Sequence, residues 1–214
     1  MNELARGDYA YWRDGQRQAI SEPWTLTRTS DGIVLRGQRI VDRRVMLDVE
    51  ACYRAGHCVE MALHWNRDAA LTTRAAHYRL SGEALKWRLG EQDDVLQLSA
   101  GTLLFPLLRA ATGPLLSLLR QSPRPVLVPC IRDPADPLFL QPLLSQRRAV
   151  EIDVESGRIS HLRYYGGEYG DGGCDCWLDE LGLIQRYSWN STAGVWNIQL
   201  VDAVVAPGFR GFGG

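Results

Sequence analysis

The feature that most constrains the fold of this chain is a leucine-rich stretch at residues 101–119. Its apolar residues recur at the spacing of one helix face, namely Leu104, Leu108, Ala111, Leu115 and Leu118 or Leu119. Pro106 and the Gly113-Pro114 pair interrupt the pattern, so the sequence predicts one kinked helix or two short helices over residues 102–121. Because strand-like sequence flanks the segment on both sides, we expect it to be buried against a sheet or in the mouth of a barrel.

Short strand patterns and turn signals alternate through the rest of the chain from Trp24 onward. An Asp-Gly pair at 31–32, for example, supplies the positive φ of a tight hairpin turn. Strands are predicted at 24–29, 33–40, 45–53, 59–66, 72–80, 85–89, 125–131, 138–144, 149–154, 158–165, 176–179, 183–189 and 196–204. Many short strands without alternating helices predict an all-β, mainly antiparallel fold: a curved half-barrel or barrel with one apolar, kinked helical insertion.

The chain has 214 residues, and we expect them to form a single domain, residues 1–214. Asp-Pro pairs at 133–137 predict turns, and the glycine-rich stretch at 166–173 predicts a mobile loop. The C-terminal tail at 207–214 is expected to be frayed.

The composition limits which binding partners and which cellular compartment we expect for this protein. A formal net charge of −1, with arginines scattered along the chain, gives no electrostatic reason to expect nucleic acid binding. The leucine-rich stretch could span a bilayer by length, but Arg109 and two prolines argue against an integral membrane segment. An N terminus without an apolar run and five cysteines without regular spacing predict a cytoplasmic protein with reduced thiols.

Two of the five cysteines are candidate metal ligands. Cys174 and Cys176 lie two residues apart on a predicted strand and therefore share a face. With His161 or Cys58 they could form a thiolate-rich zinc site, but the paired C-x-x-C spacing of zinc sites is missing. The sequence therefore predicts small buried thiols and no metal. It also lacks phosphate-cradling and dinucleotide-binding motifs, so no cofactor is predicted.

The histidines are the best candidates for acid–base chemistry. His77 and His161 lie within predicted strands, whereas His57 lies in a turn. Glu60 shares a strand face with His64, but the two are about 13 Å apart along an extended strand. An imidazole with a carboxylate in an apolar cavity would suit an isomerase, cyclase or lyase, so the catalytic candidates are His77, His161 and Glu60. A structural or surface role is the alternative for each histidine.

Aromatic and aliphatic side chains supply the candidate ligand-binding residues. Seven tryptophans are many for this length, and aromatic residues on sheet faces usually belong to the core. In a half-barrel, some of them would line the cavity beside the leucine-rich segment. The predicted lining is Met61, Trp65, Leu104, Phe105, Leu108, Leu115, Leu119, Tyr164 and Trp177.

Several segments resemble a known family. They are Val34-Leu35-Arg36-Gly37, Leu47-Asp48-Val49-Glu50 before the 59–65 strand, the connection at 136–148, and the hairpin sequence at 177–183. Their order over residues 24–190 resembles the bacterial glycolipid-binding family, whose proteins have a curved antiparallel half-barrel similar to that of the outer-membrane lipoprotein carriers. The leucine-rich insertion and the Cys-Asp-Cys-Trp strand depart from that pattern. The resemblance implies the half-barrel fold more than a particular ligand.

Three functional hypotheses follow. The first is a cytoplasmic binding protein for a lipid or other apolar small molecule, with the 102–121 helix as plug or lid. The second is a metal-free enzyme that acts on an apolar substrate in the same cavity through histidine and carboxylate groups. The third is an interaction protein whose leucine-rich helix docks into a partner, and the sequence leaves homo-oligomerisation open.

Overall fold

The computed structural model of this chain describes residues 2–66, 73–131, 140–155, 158–166 and 173–212. These residues contain fifteen β-strands, one α-helix and one short 3-10 helix. The first eight strands are β1 (Asn2–Arg13), β2 (Gln16–Thr29), β3 (Gly32–Val41), β4 (Arg44–Arg54), β5 (His57–Asn66), β6 (Thr73–Ser81), β7 (Ala84–Leu89) and β8 (Gln92–Gln97). The remaining elements are β9 (Leu103–Leu104), the 3-10 helix (Arg109–Ala111), α1 (Thr112–Leu119), β10 (Arg124–Ile131), β11 (Leu140–Glu155), β12 (Ile159–Tyr165), β13 (Cys174–Leu178), β14 (Ile184–Ser191) and β15 (Gly194–Val205).

All the described strands belong to one sheet, built from two antiparallel meanders. β1 to β8 form the first meander and β10 to β15 the second, and antiparallel pairing of β1 with β15 joins them. β8 is at one edge of the sheet, and β9, parallel to β10, is at the other. The chain from 98 to 123 must therefore pass from one edge to the other. β9 also lies against β5, so the sheet is strongly curled.

The strands follow the period-two pattern of a sheet with one buried face. In β4, Leu47, Val49, Ala51 and Tyr53 are buried, and the residues between them are half-buried or exposed. In β5, Met61 and Leu63 lie on the inward face and are fully buried. The inward side chains of both meanders join a single hydrophobic core. The prediction of an all-β, mainly antiparallel, curved fold is confirmed.

The pattern missed part of the sheet. It predicted no strand before residue 24, yet β1 and the first half of β2 form a long hairpin, and β8 was also overlooked. The strands predicted at 138–144 and 149–154 contribute to one long strand, β11. The residues between the two predicted strands continue the strand, and Arg147 points inward with only 4% exposure. The predicted turns at 133–137 and most of the glycine-rich loop at 166–173 lie outside the described residues.

The helical insertion is shorter than predicted. Helix occupies only residues 109–119, and the part from 102 to 108 is extended or turn-like. Pro106 lacks a backbone N–H, and Leu107 adopts a left-handed φ of 65°, so a helix cannot run through them. The Gly113-Pro114 pair lies in the first turn of α1, where the missing N–H of Pro114 costs nothing. No helix of the described residues is long and apolar enough to cross a membrane.

The C-terminal tail is packed where the structure describes it. Phe209 and Phe212 are buried, and the Phe212 ring meets the edge of Tyr53 at a centroid distance of 4.9 Å. The expectation of a frayed tail is therefore wrong for residues 207–212, because two aromatic side chains anchor this glycine-rich segment.

Candidate functional site

The leucine-rich segment fills the interior that the sheet encloses. Most of the predicted lining residues meet there: Met61, Leu104, Phe105, Leu108, Leu115, Leu119 and Tyr164 are all buried in the common core. Leu116, which the sequence analysis did not select, is also fully buried. Trp65 is half-buried at the edge of this core, and its indole Nε1 has no hydrogen-bond partner among the described residues. The site predicted as a cavity is therefore occupied by the chain itself.

Helix α1 closes the interior with one face. Leu115, Leu116 and Leu119 point inward, whereas Ser117 and Arg120 are exposed. The start of the helix sits tightly on the turn between β13 and β14, because a Cβ placed on Gly113 would lie 1.6 Å from the carbonyl oxygen of Gly182. Only glycine allows this approach of two backbones.

A buried carboxylate anchors the segment to the sheet. Glu22, on β2, is fully buried, and its side chain accepts hydrogen bonds from the Tyr11 hydroxyl at 2.8 Å and from the Arg39 guanidinium at 3.0 and 3.1 Å. The backbone N–H of Arg109 donates to the same carboxylate. Arg39 also donates to the carbonyl oxygen of Leu107 at 2.6 Å. We call these groups the Glu22 cluster: the side chains of Tyr11, Glu22 and Arg39 with the backbone of residues 107–109.

The electrostatics of this cluster follow from its burial. Burial lowers the pKa of Arg39, but Tyr11 and Glu22 raise it by more, and the net shift is upward. Burial and the neighbouring Glu22 raise the pKa of the Tyr11 hydroxyl. Each carboxylate oxygen of Glu22 has a donor, so the cluster is satisfied and costs less to bury than an unpaired charge. It holds three strands and the left-handed Leu107 in one arrangement.

Further polar groups line the second meander. The guanidinium carbon of Arg109 lies 4.7 Å from the ring centre of Tyr187 and 5.7 Å from that of Trp189. Arg147 donates to the Ser145 hydroxyl at 2.9 Å and to the Tyr164 hydroxyl. Arginines stacked on or bonded to aromatic side chains thus place charge inside the curled sheet.

The cysteine pair behaves as small buried side chains. Cys174 and Cys176 share the inner face, both thiols are free, and Cys174 lies 3.1 Å from the Tyr187 hydroxyl. Burial raises the pKa of Cys176 well above its usual range, which disfavours the thiolate that zinc would need. His161, considered as a further ligand, points to the opposite face of the sheet. No three histidine, cysteine or acidic side chains gather as metal ligands in the described ranges.

Two predicted site residues lie on the outer face instead of lining the interior. Leu162 and Tyr164 point inward, so the alternating His161 points outward, where its ring stacks on Trp177 at 4.4 Å with an interplanar angle of 8°. The Arg186 guanidinium covers the same indole at 3.6 Å. Placing Trp177 in the ligand site was wrong, since this stack buries it from the other side of β13.

A histidine–carboxylate pair on β5 and β6 also lies on the outer face of the sheet. His77 Nε2 lies 2.8 Å from Glu60 Oε1, and their side chains are 46% and 32% exposed. The corresponding pair on β12 and β13 joins His161 Nε2 to Asp175 Oδ1 at 2.9 Å, with Arg163 bonded to the same carboxylate. The sequence considered Glu60 together with His64, whereas the structure pairs Glu60 with His77, and neither histidine–carboxylate pair faces the apolar interior.

The residues that sequence reasoning missed are those of the Glu22 cluster and Arg147. Glu22 stands at an inward position of the period-two pattern of β2, between Ile20 and Trp24. A charged residue at an inward position is the signal that could have identified it. It was overlooked because no strand was predicted over this part of the chain.

Comparisons with known proteins bear on the fold alone. The structure is similar to the crystal structure of a beta-barrel-like protein of domain of unknown function DUF1849 from Brucella abortus, with a TM-score of 0.56 and 10% sequence identity. The match covers 96% of this chain and 98% of that one. No protein-family model and no curated protein matches the sequence. The barrel-like fold is thus supported, whereas no match confirms the resemblance to the glycolipid-binding family.

Proposed function

We propose that this protein binds a lipid or another apolar small molecule inside the curled sheet, and that the segment from 103 to 119 occupies the site when no ligand is bound. The observation that supports this proposal most is the composition of the filling. The interior is filled by leucine side chains of one segment that crosses between the two sheet edges. An alkyl chain would bury the same kind of surface, at about 0.8 kcal/mol for each methylene.

The attachment of this segment favours its displacement. Two residues of β9 pair with β10, and the Phe105 N–H donates to the carbonyl oxygen of Leu127 at 3.0 Å. The Glu22 cluster supplies the buried charged contacts to the first meander. A segment held by few directional contacts and many non-directional apolar ones can exchange with an apolar ligand, because the ligand replaces the apolar contacts.

The alternative of an enzyme depended on histidine–carboxylate pairs within the cavity. The outward position of both pairs favours binding over catalysis in the interior. Binding therefore explains more of the described features, namely the apolar filling and its attachment at the Glu22 cluster.

Fluorescence titration with a dansyl-labelled undecanoic acid tests the proposal, together with native mass spectrometry of the complex. We expect a one-to-one complex. The Glu22→Gln variant is expected to bind about tenfold more tightly, because weakening the closed state raises the population that can bind. Glu60→Gln is the matched control, since it changes a surface carboxylate, and its affinity should equal that of the wild type. If neither wild type nor Glu22→Gln binds the probe up to about 100 µM, the proposal is wrong.

A further inference from the structure

We propose that an alkyl chain reaches the interior through a groove between α1 and the C-terminal segment, and that Phe212 is the gate of this groove. The inference rests on the proposed function and adds the route and the chemical class of the ligand. The groove has a volume of about 330 Å³, and its lining includes Pro114, Leu118, Gln121, Leu181, Arg210 and Phe212. We call it the access groove.

The access groove lies directly over the hydrophobic core. Leu118 and Leu181 line the groove and also pack against the hydrophobic core. On the inner side of the same helix, Leu115 and Leu119 belong to that core. A chain that enters between α1 and the C-terminal segment would therefore meet apolar side chains from the surface to the interior.

The lining of the groove indicates the class of ligand. Apolar side chains form one part of it, and Gln121, Glu180 and Arg210 supply polar groups at the exposed part. Its volume is at the lower end of the range for small-molecule pockets, about 300–1,000 Å³. These features suit a single unbranched alkyl chain with a polar end.

The C-terminal segment is attached in a way that suits a gate. The Ala206 N–H donates to the carbonyl oxygen of Leu4 at 2.8 Å, at the end of β15. Beyond this point Phe209 and Phe212 anchor the segment through buried side chains. Gly208 has a φ of 83° and open space around it, so the backbone can pivot there without a side chain in the way.

A buried hydroxyl beneath the gate is a second, independent observation. Tyr53 is 3% exposed, and its hydroxyl has no hydrogen-bond partner among the described residues. Its ring is in edge contact with Phe212. A buried polar group without a partner costs free energy, so a ligand atom that reaches it gains a hydrogen bond. A polar ligand end that passes Phe212 could accept a hydrogen bond from this hydroxyl.

Stopped-flow fluorescence with the dansyl-labelled undecanoic acid tests the gate. In Phe212→Ala, association and dissociation rates should both rise about tenfold, while Kd changes less than about threefold, because a gate changes the barrier and not the bound state. Phe212→Leu should give an intermediate rise and replaces Phe212→Ala if that variant does not fold. Trp12→Ala, which removes another partly buried aromatic side chain, is the control and should leave both rates unchanged.

Tyr53→Phe separates a role in ligand entry from a role in stability, because it is measured by both the association rate and Tm. Removing an unpartnered hydroxyl should not lower Tm, yet it should slow association of the probe about threefold. Unchanged rates in both Phe212→Ala and Tyr53→Phe, with normal binding, would overturn the access groove and leave the proposed function standing. Failure of every protein, wild type included, to bind the probe would overturn both.

Discussion

A carboxylate–guanidinium pair and a carboxylate–imidazole pair of this sheet have opposite surroundings. Glu22 and Arg39 pair at 3.0 Å on the inner face, where the Glu22 side chain is fully buried. Glu60 and His77 pair at 2.8 Å on the outer face, where both side chains are about one-third to one-half exposed. The distances are similar, so the difference between the pairs lies in how much water surrounds them.

Exposure to solvent determines how much each pair contributes to the free energy of unfolding. An exposed ion pair is screened, and such pairs contribute about 0–1 kcal/mol. Breaking a buried pair leaves an uncompensated charge in an apolar place and costs about 3–5 kcal/mol. Sequence reasoning favoured the histidines because of their chemistry. The position of a residue relative to the core has the larger effect on what it does for the fold.

The largest expected effect is that of Glu22→Gln. This substitution keeps the size of the side chain but removes the buried charge that faces Arg39. Because the Arg39 side chain is itself 24% exposed, the free energy of unfolding should fall by about 3–4 kcal/mol, the lower part of the range for breaking a buried pair. Urea denaturation followed by tryptophan fluorescence measures it. Glu60→Gln is the matched control, with an expected loss of at most about 1 kcal/mol. Equal losses in the two variants would show that burial does not separate the pairs.

Leucines on the two sides of α1 extend the comparison to apolar contacts. Leu116 is fully buried, whereas Leu118 is half-buried beside the access groove. Leu116→Ala should lower the free energy of unfolding by about 2–5 kcal/mol, because it leaves a cavity in a packed core. Leu118→Ala should cost less than half as much. If Leu116→Ala changes neither stability nor probe binding, the segment does not fill the interior as an apolar plug.

The sequence predicted the fold class well because period-two burial is a local property. The alternation in β5 and the turn at 31–32 can be read from neighbouring residues alone. The order of fifteen strands depends instead on the pairing of β1 with β15, which brings residues near the two ends of the chain together. No local pattern reports such a contact.

The candidate site was predictable only in part, for the same reason. The burial of Leu115 follows from helical spacing, whereas Leu108, which is also buried, precedes the helix in extended backbone. The Glu22 cluster joins residues 22, 39 and 107–109, which only the folded sheet brings together. Trp177 alternates with Cys174 and Cys176, which share the inner face, so its outward position follows from the strand period. The cytoplasmic location and the absence of a metal requirement stay predictions.

Asp8 gives a smaller effect with a defined pH dependence. Burial, the largest cause, raises the pKa of Asp8 above its usual 3.8, although its carboxylate accepts the Glu22 N–H at 2.9 Å. The folded state thus holds this proton more tightly than the unfolded state, so the contribution of Asp8 to stability falls as pH rises through its raised pKa.

Asp8→Asn keeps an oxygen that can accept the Glu22 N–H but removes the titrating group. The Tm of this variant minus that of the wild type should therefore increase with pH above the usual pKa of an aspartate and reach about 1–2 °C at pH 7. Thermal melts of both proteins at several values between about pH 3 and pH 7, a range that includes the reference pKa of aspartate, measure the difference in Tm. A difference that shrinks as pH rises would contradict the assigned direction.

Small effects should also come from the two histidines that the sequence favoured as catalytic candidates. His77 is 46% exposed, and a glutamine there can still hydrogen-bond Glu60, so His77→Gln should change the free energy of unfolding by less than about 0.5 kcal/mol. His161 is 17% exposed and stacks on Trp177, and losing that ring contact should cost about 0.5–1.5 kcal/mol. Denaturation curves of the two variants measured side by side give both values.

Neither substitution should alter binding of the alkyl probe, because both side chains point away from the interior. A loss of probe affinity in His77→Gln or His161→Gln at unchanged stability would instead place the ligand on the outer face and break the contrast between the two sides of the sheet.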